Sequence, residues 1–137
     1  MNKLLQMLLA VKMFAKDIHY KAKGSSFYSD HLLADEIGKD IDDYMDEINE
    51  IYYLGRGEEA PASSDILKGA LEFIPEGGEI DAMFGNMQNL LLDVLTHIEE
   101  LANNAEKEDL TLGDNDLLSR ISSYLEQKNG FVWRRTK

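Results

Sequence analysis

Apolar residues recur at three- and four-residue steps along almost the whole chain, and no stretch alternates convincingly at a period of two. This pattern predicts long amphipathic helices and no sheet. The first helix is expected over residues 1–23, the second over 27–54, the third over 80–107, and the last from about residue 114. Glycine- and proline-containing breaks flank a short helix at 65–73. Gly24 is expected to cap the first helix, and Gly130 to weaken the end of the last.

The connection between the second and third helices decides the topology. At about 25 residues it is too long for a tight hairpin and suits a bundle with one long crossover, as in ferritin-like folds. The sequence therefore predicts an all-α four-helix bundle of this kind, with the short helix lying inside the crossover. The length of 137 residues predicts a single domain over residues 1–137.

The first residues resemble a signal peptide, with a charged start and an apolar run. Gln6 and Lys12 interrupt that run, no small-residue cleavage site follows, and the helical pattern continues past it. We therefore expect an amphipathic helix that begins at the first residue. No stretch approaches about 18 uninterrupted apolar residues, so no membrane span is expected. A cytoplasmic protein is the resulting prediction.

The amino-acid composition excludes several kinds of site and disfavours one kind of partner. The absence of cysteine excludes a disulfide scaffold, a thiolate zinc site and a cysteine nucleophile. A formal net charge of -12 disfavours nucleic-acid binding, which depends mostly on cations that neutralise phosphates. The same charge fits solubility, attraction of cations or a basic partner equally well.

An acidic stripe on the second predicted helix is the main candidate for chemistry. His31, Asp35, Asp42, Asp46 and Glu50 fall on the side of the helical wheel that faces away from the bundle core. This placement disfavours a di-iron site inside one bundle, and the chain has no Glu-x-x-His motif. Carboxylates combined with imidazole suit iron, manganese or zinc.

The stripe contains two pairs with i, i+4 spacing, His31 with Asp35 and Asp46 with Glu50. Along one axis the pairs lie roughly 16 Å apart, too far for one ion. Their centres are positions 33 and 48, with a midpoint of 40.5. If two copies of the helix cross antiparallel there, each first pair faces the partner's second pair. The tight turn at Gly24 can also bring His19 alongside His31.

A charged outer face is also common on helices that are simply solvated, and single histidines are often structural. An acidic helical protein that forms a shell or binds a partner without catalysis therefore remains an alternative.

The spacing of these residues resembles the Dps proteins, or mini-ferritins. The residues that match the family signature are His19, Gly24, Phe27, His31, Asp35, Asp46, Glu50, Leu54 and Gly55, whereas Tyr20 replaces the Trp that usually follows the first histidine. Intervals of 12, 4, 11 and 4 residues separate His19, His31, Asp35, Asp46 and Glu50. Further similar landmarks are Pro61-x-Ser63, Gly113-Asp114-x-Asp116-Leu117-Leu118 and Leu125-Glu126.

The resemblance implies a ferritin-like subunit that assembles, through two-fold dimers, into a hollow homo-dodecamer. It implies a ferroxidase site with His19, His31 and Asp35 from one subunit and Asp46 and Glu50 from its partner. Ferrous iron would bind there, be oxidised by peroxide or dioxygen, and be stored as ferric mineral, which protects against oxidative stress.

Three further expectations concern other residues. Asp114 and Asp116 lie where some family members line a three-fold iron pore, although Asp114 is equally suited to be a helix N-cap. Asp93, His97 and Glu100 form another possible ligand cluster, for which a structural role is favoured. The lysine-rich N-terminal tail that many Dps proteins use for DNA is missing, so little DNA binding is predicted.

Overall fold

The computed structural model describes residues 1–137, which form helices joined by loops, with no strand. The α-helices are α1 (Asn2–Lys21), α2 (Phe27–Gly38), α3 (Ile41–Glu47), α4 (Ser63–Leu71), α5 (Ile80–Asn103) and α6 (Leu112–Thr136). A 3-10 turn, Gly24–Ser26, precedes α2, and a π-helix, Ile48–Tyr53, and a second 3-10 turn, Leu54–Arg56, follow α3. The prediction of an all-α bundle with a short helix in the long crossover is confirmed.

One apolar core of 29 buried residues holds the helices together. Helix α1 packs against α2, α4 and α5, and α5 packs against α6. Phe14 of α1 and Phe84 of α5 are the largest fully buried apolar side chains. Burial of such a side chain stabilises a fold by about 1.5–3 kcal/mol. Tertiary packing of the predicted apolar faces therefore fixes the bundle that carries the candidate site.

No helix is both long enough and apolar enough to cross a bilayer.

The second predicted helix is interrupted, and the prediction of one continuous helix over 27–54 is wrong. Tyr124 of α6 causes the interruption. Its hydroxyl donates a hydrogen bond to the carbonyl of Ile37 at 2.7 Å and accepts one from the backbone amide of Asp40 at 3.3 Å. In a regular helix that amide would bond to the carbonyl of Glu36. A side chain inserted into the hydrogen-bond ladder breaks or bends a helix. Burial raises the pKa of Tyr124 to about 12, so the hydroxyl keeps its proton.

Other helix ends differ from the expected positions. Helix α1 ends at Lys21, and Gly24 does not cap it; Gly24 instead takes φ +80 at the start of the first 3-10 turn. Helix α6 continues through Gly130 to Thr136, because Val132 beyond the glycine is fully buried and anchors the last turns. Helix α4 begins two residues earlier than predicted, and α5 ends at Asn103.

Candidate metal centre

Three of the five predicted ligands lie together within this one chain. His19 near the end of α1 and His31 and Asp35 on α2 each offer a ligand atom, and these atoms lie within 4.8 Å of one another. Helices α1 and α2 are packed side by side and joined by a short connection, which brings the two histidines together. We call these three residues the first half-site. The predicted juxtaposition of His19 with His31 is therefore present.

The two imidazole rings hold each other in a defined orientation. Their centroids are 3.5 Å apart with an interplanar angle of 29°. Nδ1 of His31 lies 3.2 Å from the backbone oxygen of His19, and Nδ1 of His19 lies 3.3 Å from the backbone oxygen of His31. A carbonyl can only accept, so each contact favours the tautomer with the proton on Nδ1. The lone pair of Nε2 is then free for a metal.

Asp35 is the more accessible member of the first half-site. Its Oδ1 lies 3.0 Å from Nδ1 of His19, while its side chain is 48% exposed and that of His19 is 14% exposed. A groove of about 610 Å³ opens beside Asp35 and is lined by residues of α1 and α2, including Lys12, Ala15 and Gly38. The half-site therefore has two fixed nitrogen donors and one carboxylate that faces open space.

Asp46 and Glu50 form the second half-site, and the structure does not bring them to the first. Asp46 lies in α3 and Glu50 in the π-helix, and both are exposed. Neither belongs to the group of converging ligand atoms, and neither takes part in an ion pair of the chain. π-Helical turns occur frequently at functional sites. This second half-site thus presents two free carboxylates to the surroundings of the subunit.

Asp114 and Asp116 differ sharply in their surroundings. Asp114 is not the N-cap of α6; Thr111 is, and Asp114 completes a capping box with it. The carboxylate of Asp114 is buried and accepts a hydrogen bond from Arg56 at 2.9 Å. The side chain of Asp116 is 70% exposed and pairs with Arg120 at 3.0 Å. Of the two, only Asp116 presents a carboxylate at the subunit surface.

His97 has no cluster of ligands around it. Both ring nitrogens are buried without a hydrogen-bond partner, and the nearest carboxylate, Glu100, is 3.8 Å from Nδ1. Asp93 is exposed and does not join them in a converging group. Burial, followed by the charge of Lys3, lowers the pKa of His97. These features describe a neutral histidine packed beside the core.

Side chains of α6 that contact the helices of the half-sites were not predicted. Tyr124 breaks the second helix, and three basic residues of α6, Arg120, Lys128 and Arg135, pair with acids of α2 and α3. The available signal was their spacing of eight and seven residues, which places them along one side of a helix.

Comparison with known proteins adds structural similarity only. No protein-family model matches the sequence, and no curated protein matches it. Among solved structures, Dps from Thermosynechococcus elongatus superimposes with a TM-score of 0.85 at 20% identity, over 99% of this chain and 87% of that one. A C-terminal deletion mutant of Mycobacterium smegmatis Dps gives 0.82 at 21% identity, over 99% and 93%.

An archaeal Dps homologue from Halobacterium salinarum gives a TM-score of 0.80 at 20% identity, over 99% of this chain and 76% of that one. The resemblance drawn from the residue spacing is thereby confirmed at the level of the fold, across nearly the whole chain. On this structural similarity, the chain has the fold of a Dps subunit.

Proposed function

We propose that the chain is the subunit of a mini-ferritin that binds ferrous iron, oxidises it and stores the ferric product. The observation that carries the proposal is the convergence of His19, His31 and Asp35 in a chain with the Dps fold. Imidazole nitrogens with carboxylate oxygens suit iron, and bound iron would supply the electrons for an oxidant. By the same resemblance, the chain is a single domain that works in the cytoplasm.

In this proposal each complete site lies between two subunits. His19, His31 and Asp35 come from one subunit, and Asp46 and Glu50 come from its two-fold partner. Two observations support it: the second half-site is exposed and unpaired, and the break between α2 and α3, at residues 39–40, lies within about one residue of the midpoint of 40.5. A two-fold axis near that break would place each half-site opposite its complement.

Apolar side chains beside the first half-site support the same partner. Tyr28 and Leu32 of α2 are 69% and 47% exposed, and Phe27, whose ring centroid is 5.0 Å from that of His31, is 41% exposed. Clustered exposed apolar residues commonly mark an interface. We propose a hollow homo-oligomer, a dodecamer, built from these two-fold dimers.

The chemistry assigned to the site is an electron transfer from iron to an oxidant. Two ferrous ions each give one electron to hydrogen peroxide, two protons are taken up, and two water molecules leave. The residues of the chain bind the ferrous substrate, hold it near the oxidant and release the ferric product toward the mineral. Consuming peroxide in this way would protect against oxidative damage; dioxygen is the other candidate oxidant. Asp116 is proposed, with less support for the buried Asp114, to guide iron inward.

The decisive experiment is anaerobic addition of ferrous iron followed by peroxide, with ferric absorbance as the readout. We expect an Asp46→Ala/Glu50→Ala variant and a His31→Ala variant to lose the fast phase, because each removes ligands from every site. His97→Leu is the matched control and should retain the wild-type rate. Equal rates in wild type and ligand variants would favour the alternative, a shell-forming protein without ferroxidase activity.

Two further measurements test the assembly and its partners. Native mass determination should give a homo-oligomer, since a stable monomer leaves each site without Asp46 and Glu50 of a partner. DNA is not a proposed partner, because the net charge is -12 and the one cluster of basic residues, Arg134, Arg135 and Lys137, lies at one end of the chain. Tight gel-shift binding above about 0.15 M salt would contradict this exclusion.

A further inference from the structure

Three basic side chains of α6 reach across to the helices that carry the proposed ligands. Nη1 of Arg120 lies 2.9 Å from Glu47, Nζ of Lys128 lies 2.9 Å from Glu36, and Nε of Arg135 lies 2.7 Å from Asp30. As the basic residues advance along α6, their partners move backward from 47 to 36 to 30. Helix α6 therefore runs antiparallel to the second helical stretch and contacts it at three successive points.

Each acidic partner is the direct chain neighbour of a proposed ligand. Asp30 precedes His31, Glu36 follows Asp35, and Glu47 follows Asp46. Adjacent residues on a helix point about 100° apart, so one can face α6 while its neighbour faces the metal site. This correspondence holds at all three contacts, and it covers members of both half-sites.

Two of the three contacts are fixed by burial. Asp30 and Lys128 are each only 2% exposed. A buried charge that loses its partner is strongly unfavourable, so these contacts tolerate little displacement. The contact of Arg135 with Asp30 is bidentate, since Nη2 of Arg135 also lies 3.1 Å from the second carboxylate oxygen of Asp30. Bidentate pairing fixes orientation as well as distance. The Arg120–Glu47 contact is more exposed and therefore weaker.

We propose that Arg135, Lys128 and Arg120 are positioning residues of the metal site. Each binds an acidic residue and thereby fixes the orientation of the proposed ligand next to it in the chain. Arg135 acts through Asp30 on His31, Lys128 through Glu36 on Asp35, and Arg120 through Glu47 on Asp46. This inference rests on the proposed function. Ligand sets require placement within about 0.5 Å, and groups that orient the ligands supply it. Because all three contacts come from the same helix, α6 fixes the positions of ligands from both half-sites relative to one another.

The test measures Co²⁺ binding to the assembled protein without oxidant, by the visible d–d band and by titration. Two double variants, Asp30→Asn/Arg135→Gln and Glu36→Gln/Lys128→Met, remove the contacts without stranding a buried charge, because the groups left unpaired, Asp81 and Lys39, are exposed. We expect each to weaken Co²⁺ binding about 10- to 100-fold and to change the band shape. Arg120→Gln should have a smaller effect, because its contact is exposed. The single variant Lys128→Arg, which keeps the positive charge, should retain most of the wild-type affinity for Co²⁺.

Val132→Ala is the matched control, since it opens a cavity at a fully buried position of α6 that takes part in none of the three ion pairs. It should lower thermal stability and leave the Co²⁺ band unchanged. The inference is overturned if the double variants bind Co²⁺ like the wild type, or change only as much as Val132→Ala does. If His31→Ala also binds Co²⁺ normally, the proposed function itself fails, so the two failures are distinguishable.

Discussion

The two half-sites of this chain are built in different ways. The first joins two helices, with His19 from α1 and both His31 and Asp35 from α2, and its ligand atoms already lie within 4.8 Å of one another. The second comes from one continuous stretch of chain, and its carboxylates are exposed and unpaired. Packing of a single chain therefore assembles the first half-site, whereas the second has no converging ligands within the chain.

The backbone beneath the half-sites differs as well. His31 and Asp35 lie on a regular α-helix, but the helix beneath Asp46 changes to π-helical i→i+5 bonding before Glu50 is reached. Asn49, in the same π-helix, has a buried side-chain oxygen with no hydrogen-bond partner. We therefore expect the backbone of the first half-site to be the better protected of the two, and the backbone around Glu50 to be the one that a partner and a metal would order.

The strongest test of this comparison mixes two inactive chains. Co-expressed His31→Ala and Asp46→Ala/Glu50→Ala subunits should recover about one quarter of the wild-type sites, because half of the dimers are mixed and each has one intact site of two. The ferric absorbance after peroxide addition measures the recovery. A mixture of His31→Ala with Asp35→Ala is the control and should recover nothing. Absence of recovery in the first mixture would mean that the half-sites are not shared between subunits.

Rates of amide hydrogen exchange should differ between the backbone segments that carry the two half-sites. We expect amides of residues 48–53 to exchange about tenfold faster than those of residues 30–37, because π-helical bonds are weaker and a polar atom beneath them is unsatisfied. Peptide-level mass spectrometry of the metal-free assembly provides the measurement. Equal protection in both segments would remove the proposed difference in rigidity.

Tyr124→Phe should affect the junction between the half-sites. The change removes the hydroxyl that bonds to the carbonyl of Ile37 and the amide of Asp40, at a cost of about 1 kcal/mol in the free energy of unfolding. Urea unfolding measures that cost. Because Glu36 and Asp40 are then free to bond directly, we also expect slower iron oxidation from altered spacing. An unchanged rate and an unchanged free energy would together show that the inserted hydroxyl has no role.

The smallest effect is expected at His97, the histidine that belongs to neither half-site. Burial lowers its pKa in the folded protein, so the unfolded chain binds more protons as pH falls below about 6.5. The stability that comes from a neutral His97 is therefore lost through that range. In His97→Leu, the fall in Tm between about pH 7 and about pH 5 should be shallower than in the wild type. Identical slopes would contradict the assignment of a buried neutral ring.

Local sequence patterns were enough to predict much of the fold and the first half-site. Apolar spacing predicted the long helices, i, i+4 spacing predicted that His31 and Asp35 lie together, and the turn near Gly24 predicted that His19 would meet His31. The helix break was not predictable, because it depends on Tyr124, which is 84 residues from Asp40 in the chain. The cap is a different case, because the capping box of Thr111 with Asp114 is local and places the N-cap three residues before Asp114. Only the pairing of Asp114 with Arg56 depends on a distant segment.

The inserted hydroxyl of Tyr124 has a consequence for how the sites could evolve. It stands at the break between α2 and α3, with the two half-sites of one chain on either side. In the proposed dimer those half-sites belong to two different metal sites, so a change of angle at this break moves ligands of both, and the partner subunit repeats the movement. In that dimer the geometries of the two sites would be coupled, so that neither could change alone. A single substitution at residue 124 would then alter every site of the proposed shell at once.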